Sequence, residues 1–138
     1  MKLELKKINE AINAISNSID AEQYVAALLG SEMMLSELEK YDNSESVLHL
    51  LFNLAGQFID AGTSLRNKSA VSKGIQISET HSEYYENQSN VNYYYNLANG
   101  KLALANDCGY SKDDVNFKNI ELFNDVKNLY WKAYKLIL

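Results

Sequence analysis

"NVNYYYNLANGKLALAN", residues 90–106, sets large aromatics beside small residues at helical spacing. Tyr94, Leu97, Ala98, Lys101 and Ala105 follow one another at steps of one, three and four, so they share one side of a helix. Small residues let two helices approach closely, and bulky ones fill the neighbouring groove. The stretch therefore reads as a packing surface between helices, and it points to an all-α chain.

The same logic extends in both directions. The pattern predicts six helices and no convincing strand. Leu5, Ile8, Ile12, Ile15 and Ile19 form one apolar stripe, with a first helix expected over residues 2–16. Asp20 and Gln23 have the spacing of a capping box for a second helix ending near Tyr41. That helix is expected to bury Tyr24, Val25, Leu28, Leu35 and Leu38, with Met33 and Met34 beside them as filler. Ser44 or Ser46 can cap a third helix carrying Val47, Leu51, Leu54, Phe58 and Ala61, with Gly62 as its left-handed end. A fourth helix over residues 69–87 buries Val71, Ile75 and Ile77 and closes with Tyr84 and Tyr85. Gly74 in its interior costs about 1 kcal/mol relative to alanine, which a close helix–helix contact would explain. Beyond the opening stretch lies a polar loop with Asp107, Asp113 and Asp114. A sixth helix follows, with Phe123, Val126, Tyr130, Ala133 and Ile137 inward.

The bulk numbers fit one domain over residues 1–138, with parts 1–41, 44–88 and 90–138. The 138 residues are 46% hydrophobic and 22% charged, an ordinary globular balance. Proline is absent, which suits long helices. Net charge is −5, and Arg66 is the one arginine among thirteen basic residues, so no nucleic-acid partner is expected. The single cysteine, Cys108, permits no intrachain disulfide and fits a reducing cytoplasm. The start, "MKLELKKINEAINAIS", mixes charge through its apolar positions, unlike a signal peptide. No apolar run approaches a membrane span.

Two stretches, "LFNLAGQFIDAG" from Leu51 and "YYNLANGKLALA" from Tyr94, align without gaps. Their pattern resembles the tetratricopeptide repeat, a pair of antiparallel helices in a unit of about 34 residues. The first copy supplies Leu51, Leu54, Ala55, Phe58 and Gly62. The second supplies Tyr94, Leu97, Ala98, then Lys101 where the family has an aromatic, and Ala105 for its glycine. Val126, Tyr130 and Ala133 keep the spacing of the family's second helix, and Ala70, Gly74 and Ile77 keep it less well. The resemblance covers residues 47–138. It implies three antiparallel helix hairpins stacked as a right-handed tetratricopeptide-like array.

By that resemblance, a protein or peptide partner would lie along the first helix of each pair. The implied partner-binding residues are His49, Phe52, Asn53 and Ile59 from one copy and Asn92, Tyr95, Asn96 and Asn99 from the other, with Gly56, Asp60 and Leu102 beside them. Asparagine offers a donor and an acceptor to an extended backbone. The lysines with which part of the family clamps a C-terminal carboxylate are replaced here by His49, Phe52, Asn92 and Tyr95.

No catalytic or metal-binding arrangement is expected, and no cofactor. His49 and His81 lack partners at ligand spacing. Glu37 with Glu39, and Asp113 with Asp114, show no reason for one carboxyl to be shifted. Cys108 has no nearby histidine in the sequence. On the last helix, Leu129, Trp131 and Leu136 are left over by the inward stripe. They are expected to mark a homodimer edge, or a face covered by further chain. The expected role is a cytoplasmic protein–protein interaction scaffold, the N-terminal module of a longer bacterial regulatory or defence protein, and not an enzyme. The alternative is a small acidic inhibitor that blocks a basic surface of a partner enzyme.

Overall fold

The computed structural model describes residues 2–88, 90–107 and 117–138, with side chains described outside 107 and 117–120. Cys108, Lys112, Asp113 and Asp114 lie outside the described residues, as does the side chain of Asp107. Among the described residues there are seven α-helices and no strand: α1 (Leu5–Asp20), α2 (Tyr24–Leu38), α3 (Glu45–Ser64), α4 (Lys68–Thr80), α5 (Ser82–Asn87), α6 (Val91–Asp107) and α7 (Phe117–Ile137). None is long and apolar enough to cross a membrane.

Ile8, Ile12 and Ile15 are buried as the α1 stripe requires, with Leu5 and Ile19 partly buried beside them. Asp20 does not cap α2. It is the last residue of α1, Glu22 takes a positive φ of 62°, and Gln23 precedes α2 without a side-chain cap. The buried side of α2 is Ala27, Ser31, Met34, Leu35 and Leu38, while Val25 points outward. Apolar residues occur all around this helix, so periodicity does not fix its rotation. Ser31 is placed by a polar link. Its hydroxyl donates to Gln57 Oε1 at 3.5 Å, and Gln57 Nε2 donates to the Ile12 carbonyl at 2.8 Å, tying α2, α3 and α1 together.

Ser44 caps α3 by accepting from the Val47 N–H, and Val47, Leu51, Leu54, Phe58 and Ala61 are all buried. Gly62 is not the end of α3, which continues to Ser64; the left-handed residue is Arg66, with φ 55°. Gly62 and Gly74 face each other's helices instead. A Cβ on Gly62 would stand 2.9 Å from the Val71 backbone nitrogen, and one on Gly74 would stand 2.6 Å from the Ala55 carbonyl oxygen. The expected fourth helix is broken at His81 into α4 and α5. The break brings Tyr85 under α3, where its hydroxyl donates to the Leu48 carbonyl at 2.6 Å.

The helices pack in an ordered series. α1 packs on α2 and α3, α2 on α3, α3 on α4 and α6, α4 on α6, and α6 on α7. Ile15 of α1 meets Gly30 of α2, and the Leu3 N–H just before α1 donates to Glu37 near the far end of α2 at 3.4 Å. One core lies between α1, α2 and α3; a second joins Ile59, Val71 and Ile75 to Tyr85, Tyr93 and Leu97. On α7, Val126 and Ala133 are buried, but Ile137 is exposed at the end of the helix.

Candidate functional site

α3 is buried on several sides, so few of its positions remain free. His49 and Asp60 are exposed, and Asn53 and Gly56 are half-buried. Steps of four, three and four place all four on one side of the helix. On α6, Asn92 and Tyr95 are exposed and Asn96 and Asn99 half-buried. The two faces meet at Gly56, where a Cβ would stand 3.2 Å from Asn96 Nδ2.

Depressions flank this meeting point. A cavity of about 780 Å³ is lined by Lys6 and Asn9 of α1, His49 and Phe52 of α3, Tyr84 of α5, and Asn90. A hollow of about 400 Å³ is lined by Ile19, Tyr24, Asp60, Thr63, Asn99 and Leu102. The starts of α1, α3 and α6 thus border one depression, and their ends border the other.

The cavity floor is aromatic. Phe52 and Tyr84 each lie against Tyr85, with ring centroids 5.4 and 5.5 Å away, and Tyr85 continues to Tyr93 at 5.5 Å. Burial pushes the Tyr84 phenol above its ordinary value, and the Glu45 carboxylate adds to this. Burial likewise raises Tyr85, and raises Tyr93 to about 12. At the other end the Asp60 carboxyl reaches solvent but is partly desolvated by the residues around the hollow, which raises it above its ordinary value.

The expected binding residues fare unevenly. His49, Phe52, Asn53, Asn92, Tyr95 and Asn96 fall on the α3 and α6 faces just described. Ile59 also lines the hollow, but it is 1% exposed and belongs to the second core, because α3 turns that side toward α4 and α6. Asn99 reaches the hollow, yet its side-chain oxygen already accepts from the Tyr130 hydroxyl of α7 at 2.5 Å. Of the expected edge, Trp131 and Leu136 are exposed, whereas Leu129 is half-buried against the second core.

Sequence reasoning missed the α1 contribution of Lys6 and Asn9, since nothing in their spacing marks a site. It also missed Lys101. This lysine, 18% exposed, reaches Glu79 of α4 at 3.6 Å and Asp125 of α7 at 3.8 Å. Among the described residues no cluster of three His, Cys, Asp or Glu side chains could hold a metal. No protein-family model, curated protein or solved structure matches the chain.

Proposed function

We propose that the chain is a tetratricopeptide-like interaction module that binds an extended peptide segment of a partner protein along α1, α3 and α6. In this reading α1–α2, α3–α4 and α6–α7 are three antiparallel hairpins stacked in a right-handed array. The order of packing supports it: each first helix touches its own partner, α3 and α6 also touch the preceding partner, and α1 and α3 touch the next first helix. The single observation that carries the binding role is the aromatic-floored cavity of about 780 Å³, which opens beside His49 and Phe52. A volume of that size suits a ligand site or an anchoring side chain. Asn53, Asn92 and Asn96 then serve the peptide backbone, and Lys6 and Glu45 set polarity at the mouth. The role is recognition, not catalysis, and the module serves a larger cytoplasmic bacterial assembly.

A displayed peptide library tests this. The wild-type chain should enrich a defined set of peptides. His49→Glu with Asn92→Ala should abolish the enrichment, with the melting temperature kept. Both residues are exposed, and such surface changes usually cost less than about 0.5 kcal/mol each. Enrichment of the same set by the double variant would move the site off this face.

A further inference from the structure

Two apolar stripes lie on helices at opposite ends of the packing order. On α2, Val25, Leu29 and Met33 are 62, 63 and 65% exposed. Their four-residue spacing puts them on one face. On α7, Trp131, Tyr134 and Leu138 at the helix end are each half or more exposed. They too share a face, at steps of three and four. α2 packs on α1 and α3, and α7 packs on α6, so the fold holds the two stripes apart. Their lengths match: eight residues rise about 12 Å and seven about 10.5 Å.

Charge distinguishes the faces. α2 contains Glu32 and Glu37 and no lysine or arginine, and Glu22 stands just before it. α7 contains Lys118, Lys127, Lys132 and Lys135 against Glu121 and Asp125. Lys127 and Lys135 sit one turn to either side of Trp131, and Lys135 Nζ lies 5.3 Å from its ring centre. Shape distinguishes them as well. Beside the α2 stripe is a hollow of about 310 Å³, lined by Val25, Leu28, Leu29 and Leu65 with Glu32 at its rim. The α7 stripe offers a projecting pair instead, Trp131 stacked on Tyr134 at 5.7 Å. Two α7 faces brought together would set lysine against lysine, which disfavours that pairing. An α7 face on an α2 face sets lysines beside glutamates and an indole beside a hollow whose apolar side is Val25, Leu28, Leu29 and Leu65, with Asn67 and Ser69 at its other side. Glu32 already holds Lys73 at 2.9 Å, yet its side chain remains half exposed and open to a second cation.

We propose that a second copy of this chain covers the α7 stripe with its α2 stripe, in a head-to-tail contact. This does not rest on the peptide-binding reading. A contact between unlike surfaces leaves one stripe free at each end, so copies add until a ring closes or a filament grows.

The decisive test uses two variants of the full 138-residue chain, Leu29→Glu and Trp131→Glu, followed by size exclusion with light scattering. The wild-type mass should rise with concentration past that of two chains. Each variant alone should stay a single chain. An equimolar mixture should form pairs and nothing larger, because one intact α7 face meets one intact α2 face. Self-association of Leu29→Glu alone would establish an α7–α7 contact and overturn the proposal. A mixture that stays single-chain, or a wild type that never associates, would overturn it equally. Circular dichroism checks the fold. Met33→Glu and Tyr134→Glu replace either variant that fails to fold.

Discussion

The α3–α4 seam and the α6–α7 seam join neighbouring helices with different chemistry. Across α3–α4 the backbones come so close that Gly62 and Gly74 leave no room for a Cβ. Across α6–α7, polar and aromatic side chains span the gap. Tyr130 donates to Asn99, Tyr95 lies edge-on to Tyr130 at 5.8 Å, and Lys101 reaches Asp125. A seam closed on backbone has one solution at each glycine. A seam closed by side chains can be rebuilt from other side chains. The two should therefore answer substitution very differently.

The largest effect is expected at Gly74. Alanine there gains about 1 kcal/mol of helix propensity, but its Cβ would meet the Ala55 carbonyl oxygen and Ile59 Cγ1 at 2.6 and 2.7 Å. Overpacking of this kind costs about 1–3 kcal/mol. Gly74→Ala should thus lower the urea midpoint although it is a better helix former. An unchanged or raised midpoint would show that the seam relaxes freely.

A smaller loss is expected across the second seam. Tyr130→Phe removes one hydrogen bond and keeps the ring, at a cost of about 1 kcal/mol. Lys101→Met should be smaller still, within about 1 kcal/mol. It keeps the stem and removes ion pairs at 3.6 and 3.8 Å to carboxylates that are themselves half exposed. The same urea series measures both. A Lys101→Met loss as large as that of Gly74→Ala would make the ion pairs the true clasp of α4, α6 and α7.

The smallest effect concerns pH. Partial desolvation raises the solvent-reaching Asp60 carboxyl above its ordinary value of about 3.9. The folded state then holds its proton more tightly than the unfolded chain does. That contribution is fully present below pH 4 and is lost as pH rises through the folded value. Asp60→Asn should match the wild type near pH 3 and be slightly more stable at pH 7. Thermal melts at the two values check the sign, and a variant less stable at pH 7 would contradict it.

These contrasts also explain what was legible in the sequence. Val47, Leu51, Leu54, Phe58 and Ala61 follow the helical period, and all are buried. Gly74 was readable too, because a glycine inside a helix needs a reason. Val25 was misplaced because α2 is apolar on all sides, leaving buried Ser31 to reveal the true inward face. Ile59 lines the hollow yet is more buried than expected, because α3 is buried on more than one side and a single stripe understates its core. The break at His81 carries no glycine or proline to announce it. At the site, the α3 and α6 residues were expected together from the likeness of two stretches of sequence, and α3 does pack on α6. Lys6, Asn9 and the bridging Lys101 depend on helices distant in sequence, and no local spacing encodes them.

α1, α3 and α6 lie side by side with their starts together, and the proposed binding face depends on that arrangement. A nitroxide at position 49 tests it most directly, carried by His49→Cys in a chain with Cys108→Ser. The expected result is strong broadening of amide signals at Lys6, Asn9 and Asn90, with Ile19, Thr63 and Asn106 unaffected. Broadening at Ile19 or Asn106, with Lys6 and Asn90 sharp, would mean that these helices do not run together and that the face does not exist.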